Sequence, residues 1–215
     1  MTTKHTTLVA LLAALLAGPW LSACAPLVVG GAAATTALVA SDRRTAGAQL
    51  EDKRIELKAG GSIQKTLGEK VNVNVSSFNR RVLLTGEVPT QKDKENAEKI
   101  VREIENIALI HNDLAIAGPS SMMQRSSDVL LSTGVRARLL TTRGLDPNAI
   151  SITSERGSVY LMGIVTKREA DLATEAVRSF SGVQRVVQVF ELISEEQLRQ
   201  LTPPAQPKPA EPVPK

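Results

Sequence analysis

The chain has 215 residues, 42% of them hydrophobic, 2% aromatic and 22% charged, with a formal net charge of +4. Such a composition supports a core built mainly from Val, Ile and Leu, and the mild positive balance is a weak attraction for anionic partners. A single cysteine excludes an internal disulfide and a thiolate metal cluster.

The N-terminus has the layout of an export leader. Lys4 and His5 form a short polar start, Leu8 to Ala17 is apolar, and Gly18-Pro19 breaks any helix. That run is shorter than the roughly 20 apolar residues of a membrane-spanning helix. An ordinary leader would end in Ala-x-Ala, but here Leu21-Ser22-Ala23 abuts the lone Cys24. The stretch resembles a bacterial lipobox, which implies removal of residues 1–23 and acylation of Cys24. Ala25, where an inner-membrane lipoprotein would carry Asp, implies sorting to the outer membrane. The plainer alternative is an ordinary leader followed by an incidental cysteine. Residues 24–49 then form an acylated start and a flexible tether. Gly30, Gly31, Thr35 and Thr36 interrupt their apolar run, so a second membrane span is not expected.

An internal repeat follows. "VNVNVSSFNRRVLLTGEV" aligns with "ISITSERGSVYLMGIV", so Val73 and Val75 match Ile150 and Ile152, and Gly86 matches Gly163. After a one-residue difference at Pro89, Ala97, Val101 and Ile104 match Ala173, Val177 and Phe180. In each copy the alternating apolar pattern predicts two strands joined as a hairpin. A helix comes next, over Gln91 to Glu105 and Lys167 to Ser181. A last strand closes each copy, over Ala108 to Ile116 and Val183 to Ile193. Another helix precedes each hairpin, over Glu51 to Leu67 and Ser127 to Thr142. Gly60-Gly61 weakens the first of these, at about 1 kcal/mol per glycine relative to alanine. Because the second and third strands join through a helix, they should be parallel and the sheet mixed. The expected fold class is α+β: two tandem helix-strand-strand-helix-strand sandwiches, each a three-stranded sheet covered by two helices. Residues 50–118 and 119–193 hold the two units. Residues 194–215 are read as a short helix and a solvated tail ending in "TPPAQPKPAEPVPK".

Catalysis finds no support in the residues. His111 is the only histidine after the leader, and the acidic residues between Glu95 and Glu105 alternate with Lys and Arg, as on a solvated helix face. "VVGG" and "KAGG" lack the spacing and the Lys-Ser/Thr ending of a phosphate-binding loop. Neither a cofactor nor a metal is expected. Nucleic acid is not an expected partner either, because aromatic stacking positions and a Lys/Arg cluster are missing.

A surface reading has more to offer. Leu50 to Gly118 carries 11 basic and 11 acidic residues, whereas Pro119 to Ile193 carries 9 and 7. In the helix "SSDVLLSTGVRARLLTTR", Leu131, Val135 and Leu139 form one stripe suited to a sheet. Val129, Leu130, Thr133, Ala137 and Leu140 form a second, flanked by Arg136. That second stripe is either further core, including an interface with the first unit, or a surface for something apolar and anionic.

The two "VxLxG.V" second strands, the lipobox with "CAPLVVGGAAA", and "VRARLL" and "VYLMGIVTKREA" in the second unit resemble the dual-BON outer-membrane lipoprotein family over residues 24–193. The resemblance implies a lipid-anchored, non-enzymatic protein on the periplasmic side of the outer membrane, with a role in envelope integrity and division. It also implies that the first helix of the second BON unit binds anionic phospholipid such as phosphatidylglycerol. The contacts would come from Val129, Leu130, Thr133, Arg136, Ala137 and Leu140. Outer-membrane assembly machinery is a further implied partner. The stripe departs from a strong membrane anchor in carrying no aromatic residue. The alternative function is a scaffold that docks envelope-assembly or peptidoglycan-associated proteins.

Overall fold

The computed structural model describes residues Asp42 to Leu201, so Cys24, the leader and the Pro-rich tail lie outside the described residues. Two units follow one another with the same element order. The first consists of α1 (Ala46–Leu67), β1 (Asn72–Phe78), β2 (Arg81–Val88), α2 (Gln91–Arg102) and the paired segments β3 (Leu109–Asn112) and β4 (Ala115–Ile116). The second consists of α3 (Met122–Leu140), β5 (Ile150–Glu155), β6 (Ser158–Thr166), α4 (Lys167–Arg178) and β7 (Arg185–Ile193). A last short helix, α5, spans Glu195–Leu201. In both sheets the hairpin strands are antiparallel and the closing strand is parallel to the central one, the mixed arrangement that a helical crossover imposes.

The differences from the sequence pattern lie at the element ends. Both leading helices begin about one turn before the expected start, because Thr45 and Ser121 accept the backbone N–H groups of Ala48 and Gln124 and so cap them. Helix α1 therefore takes in Ala46 to Gln49, which the sequence pattern places in a tether over residues 24–49. The closing strand of the first unit breaks between β3 and β4, where Leu114 drops into the core and Asp113 N donates to Leu84 O. Gly60 and Gly61 do not interrupt α1, which is held along its inner face by Ile55, Ala59, Ile63 and Leu67.

Strand alternation gives each central strand two buried faces. Val82, Leu84 and Val88 of β2 turn toward α1 and α2, with Ala97, Val101 and Ile104 behind them. Val159, Leu161 and Val165 of β6 turn toward α3 and α4, against Val135, Leu139, Ala173 and Val177. The opposite faces meet each other: Phe78 and Leu83 of the first unit pack with Tyr160, Met162, Ile164 and Val189 of the second. The result is four layers, with the helices outside and the two sheets back to back. Among the described residues, the fully buried members of these three cores lie between Ile55 and Phe190.

Two devices recur in both copies. Gly86 and Gly163 let the hairpin partner come close; a Cβ there would sit 2.0 Å from Asn72 O and 2.4 Å from Ala149 O. A buried carboxylate on each leading helix also pins the adjacent hairpin turn. Asp52 accepts the N–H groups of Asn79 and Arg80, each at 2.7 Å, together with the Ser77 hydroxyl and the Arg44 guanidinium. Asp128 accepts those of Arg156 at 2.9 Å and Gly157 at 3.0 Å. The turns need this help: both residues of each have positive φ, as tight hairpins require, and three of the four are not glycine.

Asp52→Ala should lower unfolding free energy by about 2–4 kcal/mol, because two turn N–H groups lose a charged acceptor; a change within about 0.5 kcal/mol in urea titration would contradict the pinning role. Gly61→Ala should stabilise by about 0.5–1 kcal/mol, since an added Cβ there meets nothing within 4 Å. A lower thermal midpoint for that variant would show that the glycine has a packing role.

Candidate membrane-docking surface

The layering decides which helix faces remain uncovered. On α3, Asp128, Val135 and Leu139 are buried, and Leu131 is half-buried against the second core. The other side is open: Val129 is 65% exposed, Leu130 73% and Leu140 62%. Thr133, Arg136 and Ala137 are exposed as well, so the structure brings all six of the singled-out side chains to one outer face. The apolar core between the units is made by the sheet backs and, among the described residues, includes none of this stripe.

The earlier start of α3 adds what the sequence pattern left out. Met122 and Met123 are 76% and 83% exposed and extend the same face by a turn. Unbranched and polarisable, methionine adapts to an irregular apolar surface. Its signal was Ser121, a good N-cap five residues after the first copy's closing strand.

Electrostatically the face is one-signed. The only acid within α3 is Asp128, which is buried and committed to the hairpin turn. Arg125, Arg136 and Arg138 are exposed; Arg125 donates to Ser120 O, and among the described residues neither Arg136 nor Arg138 forms an ion pair. The equivalent helix of the first unit differs. On α1, Lys53 pairs with Glu56 and Arg54 with Glu51, so acids accompany the bases on its open side, although Lys58 and Lys65 are exposed and form no ion pair among the described residues.

A second set of polar residues fixes the units to each other. Asn79 Nδ2 donates to Glu191 Oε2 at 2.7 Å, and Arg185 pairs with Asp113 at 2.5 Å. Burial and the Asp113 carboxylate push the Tyr160 phenol well above its ordinary range, and burial works against ionised Asp113, yet Arg185 and Tyr160 hold it below the usual carboxylate value. Glu87, also buried, is held low against its burial by hydrogen bonds from Ser120 and Asn72. At the N-terminal edge, Arg43 grips Glu169 through both guanidinium nitrogens, at 2.8 and 2.7 Å, and donates to Ile164 O.

His111 lies half-buried on β3. Among the described residues, no three His, Cys, Asp or Glu side chains gather closely enough to hold a metal ion. None of the described helices is long and apolar enough to cross a membrane. The arrangement on the outer side of α3 offers a surface.

Comparison with known proteins places this architecture. The BON domain family matches residues 51–118 and again 127–193. Outer membrane lipoprotein DolP of Haemophilus influenzae is 33% identical over 176 residues, covering 81% of this chain and 91% of that protein. The 21 kDa hemolysin of Actinobacillus pleuropneumoniae is 29% identical, covering 71% and 79%. Among solved structures, the type III secretion protein CdsD of Chlamydia trachomatis aligns with 67% of this chain and 95% of its own at 13% identity, with a TM-score of 0.29, too low to bear on the fold. Two matched domains and a relative aligned over nearly its whole length establish that the chain belongs to the BON-domain family, in the tandem form shared with DolP.

Proposed function

We propose that this chain is a non-enzymatic lipoprotein of the outer membrane, anchored by acylated Cys24 and facing the periplasm, that docks α3 on anionic phospholipid and supports envelope integrity. One observation carries the reading: α3 exposes an apolar stripe from Met122 to Leu140 that neither core nor unit interface uses, beside arginines and without an exposed acid. An interfacial helix has that makeup: shallow apolar residues enter the headgroup region while basic ones attract anionic lipid, at about 1 kcal/mol per residue. The likeness to DolP supports the envelope location, and the lipobox supports the anchor.

The absence of aromatic residues from the stripe makes the contact shallow. With the acyl anchor already holding the chain at a membrane, α3 selects neighbouring lipids more than it supplies attachment. Outer-membrane assembly proteins remain partners for the faces that α3 does not occupy.

The test is cosedimentation of the unacylated chain, Ala25 to Lys215, with phosphatidylglycerol vesicles. Arg136→Glu combined with Leu140→Asp should weaken partitioning on the order of 100-fold, from charge reversal and a lost apolar contact. Both side chains are exposed, so unfolding free energy should stay within about 0.5 kcal/mol of wild type. Binding should also fall as salt is raised. Unchanged binding by the double variant would rule out α3 as the docking face, and no binding by the wild type at low salt would turn the assignment toward a protein scaffold.

A further inference from the structure

The two sheets end in outer strands: β1 and the broken β3–β4 in the first, β5 and β7 in the second. An outer strand carries backbone N–H and C=O groups able to pair with another chain, and proteins blunt such edges by shortness, bulges, proline or charge. β3 is blunted, having four residues before the break at Asp113. β1 and β5 have seven and six residues and are rich in Asn, Ser and Thr. β7 has nine, and its pairing with β6 runs unbroken from Arg185 to Ile193. Between Val186 and Phe190 it holds neither charge nor proline. Among the described residues, no side chain or loop hydrogen-bonds to its backbone, so the side away from β6 is open.

The charges near its ends make this edge complementary to itself. Arg185 and Glu191 stand three residues either side of Gln188, on the face turned to the first unit, where they meet Asp113 and Asn79. Their side chains are still 52% and 33% exposed, so each keeps a part free for a further partner. With a second copy laid antiparallel about Gln188, Arg185 comes opposite Glu191 on both sides of the centre. Val187 comes opposite Val189 and Val186 opposite Phe190, apolar cross-strand pairs of the kind that stabilise a sheet. Moving the centre by one residue either way sets each charge against an apolar side chain. Identical antiparallel strands are related by a two-fold axis normal to the sheet, which keeps the same face of both copies up. The two α3 helices then lie on one side, as docking of both on a single membrane requires.

We infer that β7 is a self-association edge: a second copy of this chain pairs with it antiparallel about Gln188, joining two three-stranded sheets into one. The contact uses backbone hydrogen bonds, two Arg185–Glu191 pairs and no residue of the α3 stripe. It is independent of lipid and is tested without it.

The experiment is sedimentation equilibrium of the Ala25 to Lys215 chain over a range of protein concentrations. Wild type should show a monomer–dimer equilibrium. Gln188 is exposed, so Gln188→Lys and Gln188→Glu should each keep a thermal midpoint close to wild type. Each also sets like charges directly opposite one another, and should weaken the dimer about tenfold. An equal mixture of the two variants should recover the dimer, because Lys then faces Glu. Gln188→Cys, which gives that chain its only thiol, should oxidise to a disulfide-linked dimer faster than Gln64→Cys on the exposed side of α1. A monomer at every concentration would overturn the proposal. So would a dimer that Gln188→Lys leaves intact, a mixture that fails to recover, or equal cross-linking at positions 64 and 188.

Discussion

The contact between the backs of the two sheets governs the rest of the molecule. Phe78, Leu83, Tyr160, Met162, Ile164 and Val189 close a third core between two others. Burying six large side chains is worth on the order of 10 kcal/mol before conformational entropy is set against it. A sheet with helices on one face would otherwise leave its second face to water, and β6, apolar on both sides, could not tolerate that; β2 brings Leu83 to the same contact, beside buried Thr85 and Glu87. Pairing the backs resolves the problem for both units. It also turns α1 and α3 outward on opposite sides, so that each presents a different surface.

Polar groups around this apolar contact fix its geometry. The pairs Asn79–Glu191, Arg185–Asp113 and Asn74–Glu155 each join one unit to the other. Arg43, next to the tether, holds the second unit through Glu169, while Arg44 stacks 4.0 Å above Phe78 of the first and pairs with Asp52. Consecutive residues thus engage both units where the chain enters the fold.

Much of this was legible in the chain because the repeat carried it. Matching Gly86 with Gly163, and Val101 with Val177, placed both hairpins and both crossovers, and the wheel of α3 separated Val135 and Leu139 from Leu130 and Leu140. Two things were hidden for physical reasons. Alternation along β6 shows that both faces are apolar, but not what covers the second one; that depends on a partner distant in sequence. Asp52 and Asp128 look like ordinary helix charges, and their role appears only when the leading helices are aligned with each other, each acid seven residues after its N-cap. The same alignment would have found Met122 and Met123.

Back-to-back packing leaves α1 and α3 on different outer faces, so docking through α3 keeps α1 off the membrane. Leu57 and Leu130 suit a direct comparison, being exposed leucines of similar accessibility on the leading helices of the two units, at 69% and 73%. An environment-sensitive fluorophore attached at each position in turn, through a cysteine in the Ala25 to Lys215 chain, would report entry into phosphatidylglycerol vesicles. A blue shift and shielding from aqueous quencher at position 130, with neither at position 57, is the predicted result. Equal shifts at both positions, or a shift at 57 alone, would contradict it.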